Sequence, residues 1–197
     1  RQMCIRDSYN ATRSRFFSEY GFQSFPEYAS VLRFAPEERD WDIESEVMMA
    51  HQRGGDFANM RIRQYLEDEY WPARDFRTFL YMSHVLQGDA IKTAIEAHRR
   101  DKPYCWGSLF WQHNDCWPVA SWASRDWYGR WKAQHYFARP AFDDILVSPL
   151  AEGNTLNVRL VSDRRKTVRG KLRITVMDMD GALLSENTHS LTVAPNA

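Results

Sequence analysis

The stretch CWGSLFW, residues 105–111, is the part of the sequence that decides the predicted fold. It is a compact apolar run that lies between a proline and the polar residues 112–115, the pattern of a buried strand that ends in a loop. A second run, RSRFFSE at residues 13–19, ends at Glu19 and is followed by glycine and proline. The sequence therefore predicts two buried strands, each with polar side chains at its carboxyl end.

The residues between these two runs have apolar positions at helical rather than alternating spacing. Residues 42–70 predict two helices around a break at Gly54-Gly55, and residues 75–100 predict a long amphipathic helix with a basic last turn. A further helix is expected over residues 130–138. Strand, helices, strand, helix is the order of a parallel sheet, and right-handed connections would close such a sheet into part of a barrel.

The pattern changes near residue 144 from mixed α/β to all-β. Short strand patterns follow, with turn signals at Gly153 and Asp180-Gly181. We therefore predict α/β followed by all-β, with the C-terminal portion of a (β/α)8 TIM barrel over residues 9–143 and a β-domain over residues 144–197. The predicted strands are residues 145–147, 155–161, 171–177 and 191–193.

Charge and composition exclude several classes of partner. Lys plus Arg and Asp plus Glu each number 26, so there is no basic excess to neutralise a nucleic-acid backbone. Charged residues interrupt every apolar run, so no membrane-spanning segment is expected. The three cysteines fit neither a zinc site nor a disulfide framework. Six of the eight Trp lie within residues 106–131, which favours a barrel rim or a ligand cleft.

The two ends of the chain look artificial. Residues 1–8 lack the features of a signal peptide, and from Gln2 to Ser8 they resemble the in-frame translation of a sequencing-library adapter. We expect these eight residues to be an artefact and the natural chain to be truncated on both sides. Localisation stays open between the cytoplasm and the periplasm.

Glu19 is the main candidate for chemistry. A carboxylate at the carboxyl end of a barrel strand suits glycoside hydrolysis through a covalent intermediate. Trp111 offers a flat apolar platform for a sugar, and Asn114 and Asp115 offer hydrogen bonds to its hydroxyls. From the residues alone, the alternatives stay open, because a Glu beside a glycine turn is usually solvated and a Trp in an apolar strand is usually part of the core.

Three blocks of sequence, taken together, resemble a known family. FSEYGFQSFP at residues 17–26 resembles the nucleophile segment of β-mannosidases in glycoside hydrolase family two. MMAHQ at residues 48–52 and GSLFWQHNDCWP at residues 107–118, with Ser121-Trp122, are similar to the next two blocks of that subfamily, in the same order. The long tryptophan block favours β-mannosidases over β-glucuronidases.

This resemblance implies a retaining exo-β-mannosidase that releases terminal non-reducing β-D-mannose from β-D-mannosides. It implies that Glu19 is the nucleophile, that Trp111 lines the mannose subsite, and that Asn114 or Asp115 binds mannose hydroxyls. It further implies that residues 144–197 are part of an immunoglobulin-like β-sandwich. No cofactor or metal is expected, because two carboxylates and water suffice for the reaction.

The sequence departs from the family pattern in two respects. His113 stands where an apolar residue is expected, and we interpret it as a surface-loop substitution. The Asn-Glu pair that supplies the family's general acid/base is absent, so we predict that this polypeptide alone is catalytically inactive. For His51 and Gln52, structural support and substrate contact remain equally open.

Three alternative functions are weighed against β-mannosidase activity. The first is another exo-glycosidase of the same family, such as a β-glucosidase, β-galactosidase or β-glucuronidase. The second is a carbohydrate-binding module without catalysis. The third, a purely structural β-rich partner, leaves the first 140 residues unexplained. The sequence leaves the natural leaving group and the oligomeric state open.

Overall fold

The computed structural model describes residues 5–197 of the chain. These residues form two compact units, the first ending at Phe142 and the second running from Asp143 to Ala197. Residues 1–4, half of the predicted adapter-derived segment, lie outside the described residues, and the first helix begins at Ile5.

The first unit is mainly helical and contains two short strands. The helical elements are α1 (Ile5–Ala11), α2 (Tyr28–Val31), a 3-10 turn (Glu38–Asp40), α3 (Glu46–Ala50), α4 (Ala58–Glu69), α5 (Phe76–Arg100) and α6 (Ala133–Ala141), and the strands are β1 (Phe17–Tyr20) and β2 (Ser108–Phe110). The predicted pair of helices around the glycine break is confirmed by α3 and α4.

The two predicted strands pair in parallel with each other. Phe17 lies opposite Ser108 and Tyr20 lies opposite Phe110, with a register shift between the two pairs. Both strands are shorter than predicted, because only the last residues of each apolar run join the sheet. The parallel pairing places both carboxyl ends at the same edge, as the sequence implied. Two parallel strands are described, so the complete barrel remains a prediction.

Helix α5 is the longest element of the first unit and matches its prediction closely. Asp75 caps its first turn, accepting a hydrogen bond from the backbone N–H of Thr78 at 2.7 Å. The cap hydrogen bonds from Thr78 lower the pKa of Asp75. The buried face of the helix supplies Leu80, Ile91 and Ile95 to the core. This face packs among the other helices and positions the segments that follow β1.

Helix α6 begins later than the sequence predicted. Lys132 is its N-cap with extended backbone, φ −80 and ψ 163, so the helix starts at Ala133 rather than at residue 130. The backbone N–H of Lys132 is held by the carbonyl of Ser124 at 2.8 Å, which takes this residue out of the helical ladder. Gly88 of α5 allows α6 to pack closely, because a Cβ there would lie 2.7 Å from the Phe137 ring.

The second unit consists of two antiparallel hairpins. Strands β3 (Ile145–Glu152) and β4 (Thr155–Ser162) form the first, and β5 (Val168–Met177) and β6 (Leu183–Val193) form the second. The predicted strands are confirmed, although three of them extend well beyond the predicted residues. The predicted turns are also confirmed, because Gly153 and Gly181 have positive φ angles of 58 and 87.

Candidate active site

The carboxyl ends of β1 and β2 bring the first two predicted site residues into neighbouring backbone positions. Glu19 is exposed near the end of β1, and Trp111 follows β2 directly with 43% of its surface exposed. The backbone N–H of Trp111 donates to the carbonyl of Tyr20 at 2.6 Å. The sequence prediction that Glu19 and Trp111 share one sheet edge therefore agrees with the observed pairing.

Gly21 allows the two strand ends to approach this closely. A Cβ at this position would lie 2.5 Å from the backbone oxygen of Trp111 and 2.9 Å from Cδ1 of Trp122. Real Cβ atoms do not come this close to backbone oxygen, so any larger residue requires a backbone shift. The glycine of the Glu-Tyr-Gly sequence is therefore explained by packing against the tryptophan loop, residues 111–124.

Backbone hydrogen bonds join the tryptophan loop to the segment after β1. Ser24 and Ser121 exchange two of them, at 3.0 and 3.1 Å. Within the loop, the N–H of Gln112 donates to the carbonyl of Trp122 at 3.3 Å, and the N–H of Ser124 donates back to Gln112 at 3.0 Å. The loop is therefore closed on itself and tied to residues 20–24, which directly follow the predicted nucleophile Glu19 and which we call the nucleophile segment.

Asn114 and Asp115 are adjacent in sequence but differ in exposure. Asn114 is exposed, and its amide donates to the backbone oxygen of Asp115 at 3.1 Å. Asp115 is only 4% exposed, and one of its carboxylate oxygens accepts from the hydroxyl of Ser121 at 2.6 Å. Burial raises the pKa of Asp115, while the Ser121 hydrogen bond opposes this effect. Asp115 therefore braces the loop, and Asn114 is the member of the pair that faces outward.

His51 and His113, the two histidines singled out in the sequence, both contact other side chains of the protein. His51 stacks on Phe34 with a centroid distance of 4.1 Å, and its Nδ1 lies 2.6 Å from the carbonyl oxygen of Pro118. His113 is exposed and meets the Trp131 ring edge-on at 5.7 Å. These contacts support the interpretation of His113 as a surface-loop residue.

Gln52 is buried and bridges two neighbouring side chains. Its Nε2 donates to Asn59 at 2.6 Å, and its Oε1 accepts from Gln23 at 3.1 Å. Gln23 belongs to the nucleophile segment, so Gln52 supports that segment from the side of α3 and α4. This position favours structural support among the two roles that the sequence left open.

Lys132 is a site residue that the sequence reasoning missed. Its side chain is fully buried, and Nζ donates to the carbonyls of Ser24 at 3.0 Å and Ser121 at 3.1 Å. Burial lowers the pKa of Lys132 to about 7, against the opposing effect of the Asp115 and Asp126 charges. No sequence signal marks this residue, since a lysine before a helix is usually solvated.

A second buried polar group lies behind β1. Ser108 of β2 shares hydrogen bonds of 2.8 Å with the Tyr20 hydroxyl and with Nδ1 of His98. The His98 ring stacks on Phe17 with a centroid distance of 3.5 Å. Burial lowers the pKa of His98 to about 4 and raises that of Tyr20 to about 12, so both groups are neutral near pH 7.

A cavity of about 560 Å³ opens beside the carboxyl end of β1. Its wall includes Gly21 and Trp122, together with Phe57, Arg61 and Tyr65 from the α4 region. Glu19 does not line this cavity. The arrangement offers an aromatic surface and a cationic group next to the nucleophile segment.

The described residues carry no grouping of three or more His, Cys, Asp or Glu side chains able to hold a metal ion. Within residues 5–197, no helix has the length and apolar character required to cross a membrane. Cys105 is buried and Cys116 is exposed, and both are free thiols; Cys4 lies outside the described residues.

Comparison with known proteins finds the same family along most of the chain. The β-mannosidase of Rattus norvegicus is 32% identical over 174 residues, covering 82% of this chain and 20% of the rat protein. The β-mannosidase of Capra hircus is 34% identical over 164 residues, covering 77% of this chain and 18% of the goat protein. The crystal structure of β-D-mannosidase from Dictyoglomus thermophilum superimposes with a TM-score of 0.90 at 29% identity, covering 100% of this chain and 24% of that one.

The chain belongs to the β-mannosidase family. Residues 154–197 additionally match the Mannosidase Ig/CBM-like domain, so the second unit contains an immunoglobulin-like domain. The chain spans about a fifth of the length of the curated β-mannosidases that it matches. The exo-chitosanase CsxA from Amycolatopsis orientalis has a similar fold, with a TM-score of 0.72 at 17% identity, covering 92% of this chain and 22% of that one.

Proposed function

We propose that this chain is the part of a longer retaining exo-β-mannosidase that carries the catalytic nucleophile, Glu19. Its substrates are β-D-mannosides and manno-oligosaccharides with a terminal non-reducing mannose. The observation that carries the proposal is the pairing of two exposed residues, Glu19 and Trp111, at neighbouring strand ends tied by the Trp111 to Tyr20 hydrogen bond. The similarity to β-mannosidases along most of the chain supports the choice of sugar.

The fold assignment that accompanies this function is also a proposal. We assign residues 9–143 to the C-terminal part of a (β/α)8 catalytic barrel and residues 144–197 to the immunoglobulin-like domain. Parallel pairing of β1 with β2, with helices between them, is the arrangement of consecutive barrel strands. Catalytic side chains in such barrels lie at strand carboxyl ends, which is where Glu19 and Trp111 lie.

The reaction follows from a carboxylate placed beside the anomeric carbon. Glu19 attacks C1 of the mannoside while an acid carboxyl from another barrel strand protonates the departing oxygen, and a covalent glycosyl ester forms. Water, deprotonated by that second carboxylate, then attacks C1, releases mannose and returns Glu19 to its ionised form. Two such carboxyl groups stand roughly 5 to 5.5 Å apart in retaining enzymes.

The remaining site residues have supporting roles in this scheme. Trp111 provides the flat surface on which the apolar face of the mannose ring rests. Asn114, exposed on the same loop, binds a ring hydroxyl. Asp115, which the sequence offered as a second hydroxyl ligand, is buried and accepts from the Ser121 hydroxyl, so in this scheme it fixes the loop that presents Asn114.

A mechanism-based inactivator tests the assignment of Glu19 and of the sugar together. The full-length parent protein is treated with 2-fluoro-mannosyl fluoride, digested, and analysed by mass spectrometry for the labelled peptide. We expect one label on Glu19, and none on the Glu19→Gln variant. Label on a different carboxylate would refute the site, and reaction with a gluco or galacto analogue alone would refute the sugar assignment.

A further inference from the structure

Lys132 combines complete burial with a position between the two segments that build the proposed site. A buried ammonium group is costly unless hydrogen bonds and opposite charges compensate for its lost hydration. Asp115 and Asp126 supply the opposite charge. Asp126 is itself fixed, because it accepts hydrogen bonds from the Ser30 hydroxyl and from the backbone N–H of Arg130.

The two carbonyls that Lys132 binds belong to the residues that join the nucleophile segment to the tryptophan loop. Ser24 and Ser121 already exchange their backbone hydrogen bonds, and Nζ of Lys132 adds a bond to each carbonyl from the side. The backbone N–H of Lys132 also donates to Ser124 at 2.8 Å. One residue therefore holds both partners of this bridge and one further point of the loop.

The bridge lies on the path between the two candidate catalytic positions. Ser24 is in the segment that continues directly from Glu19, and Ser121 is in the loop that begins at Trp111. Between them, Gly21 packs against Trp111 and Trp122 without space for a side chain. A displacement at the Ser24–Ser121 bridge is therefore expected to reach the backbone on which Glu19 and Trp111 stand.

We infer that Lys132 is a positioning residue that locks the nucleophile segment to the tryptophan loop and so fixes Glu19 relative to Trp111. This inference rests on the proposed function, and Lys132 itself does not contact the substrate. Its two hydrogen bonds, rather than its volume, perform this role. A methionine of similar length fills the space but cannot hold either carbonyl.

The test compares three variants of the full-length parent protein by hydrogen exchange and by kinetics. Lys132→Met removes the donor, Lys132→Arg restores the charge with a different geometry, and Leu66→Ala truncates a buried side chain of α4 as the stability control. Peptides covering residues 20–24 and 111–124 are followed by mass spectrometry, with α5 peptides as the internal reference. Hydrolysis of 4-nitrophenyl β-D-mannoside is measured below the melting temperature of every variant.

For Lys132→Met we expect faster hydrogen exchange in the two segments and not elsewhere. We also expect kcat to fall about 100-fold while KM changes little, because misplacing a catalytic group by about 1 Å costs a rate factor of this size. Lys132→Arg should give intermediate exchange and an intermediate kcat. Leu66→Ala should lower the melting temperature while kcat stays close to that of the unmodified protein.

Unchanged exchange in both segments of Lys132→Met would overturn the inference, and so would a kcat loss no larger than that of Leu66→Ala. If Lys132→Met does not fold, Lys132→Arg decides alone, because exchange in the two segments equal to that of the unmodified protein would contradict the role of geometry. An unmodified protein without mannosidase activity would refute the proposed function separately, since exchange tests the lock without any substrate.

Discussion

The strand ends and the layer behind them differ in how their polar groups are used. At the front, Glu19 and Trp111 are exposed to solvent. Behind them, Lys132 and Asp115 are buried. Lys132 donates to the carbonyls of Ser24 and Ser121, and Asp115 accepts from the Ser121 hydroxyl. The strand ends offer groups that a substrate can reach, whereas the buried groups behind them hold the two segments together.

This difference implies a division of roles. Precise placement of an exposed carboxylate requires that its own backbone be rigid, since its side chain is not held by packing. The buried layer provides that rigidity, at the cost of placing a lysine and two aspartates out of water. Substitutions at the front should therefore change the reaction without changing stability, and substitutions behind it should change both.

Replacing the front carboxylate should have the largest effect. In the full-length parent, Glu19→Gln removes the attacking oxygen and should lower kcat for a β-mannoside by several orders of magnitude, with little change in melting temperature. Glu27→Gln is the matched control, because Glu27 is exposed and follows shortly in the same chain segment. Equal activity of the two variants would remove Glu19 from the reaction.

Gly21 lies between the exposed strand ends and the buried layer, so its substitution should affect both the reaction and the stability. The Cβ of Gly21→Ala would lie 2.5 Å from the Trp111 oxygen, forcing the segments apart. We expect kcat/KM to fall about 100-fold and stability to fall by about 1–3 kcal/mol. Gly170→Ala in β5 is the control, since a Cβ there meets nothing within 4 Å. Kinetics and thermal melting of both variants check this, and a fully active Gly21→Ala would contradict the close approach.

Trp111 should affect the reaction mainly through binding. Trp111→Ala removes the proposed platform and is expected to lower kcat/KM by about 10- to 100-fold, corresponding to the loss of one aromatic contact. Trp71→Ala serves as the control, because Trp71 is 89% exposed between α4 and α5, away from the strand ends. Steady-state kinetics on a mannoside separates the two, and an equal effect of both substitutions would exclude a specific platform.

The sequence predicted the positions of Glu19 and Trp111 at neighbouring strand ends better than it predicted the buried layer behind them. Apolar runs that end in polar residues identify strand ends, and the parallel order of those strands places Glu19 and Trp111 together. The strand ends are recognised from local patterns alone. Long periodic segments, such as residues 76–100, are recognised for the same reason.

The buried layer could not be predicted because its members follow no periodicity. Asn114 and Asp115 are neighbours with similar side chains, yet one is exposed and the other buried, which only the fold of the loop decides. Lys132 resembles any solvated lysine in sequence, and one of the carbonyls that it binds, that of Ser24, lies 108 residues away along the chain. Strands β1 and β2 were predicted too long because apolar composition does not show where pairing begins.

The smallest predicted effect is on the pH dependence of stability, and it concerns the buried His84 of α5. Burial, together with the positive charge of Lys132, lowers the pKa of His84 to about 4 from an ordinary value of 6.5, while its Nε2 lies 2.7 Å from the carbonyl oxygen of Phe25. Because the folded form holds the proton less tightly, the contribution of neutral His84 to stability is complete above pH 6.5 and is lost as the pH falls toward 4.

Native-state hydrogen exchange of peptides around Phe25 and His84, corrected for intrinsic rates, measures this contribution at pH 7 and pH 5. The opening free energy of the unmodified protein should fall by about 2 kcal/mol more than that of His84→Gln over this range. His189→Gln, in the exposed strand β6, should retain the full difference. If the opening free energy of the unmodified protein and of His84→Gln depends on pH in the same way, the prediction is wrong. The surroundings of His84 would then be more open to water than its burial implies.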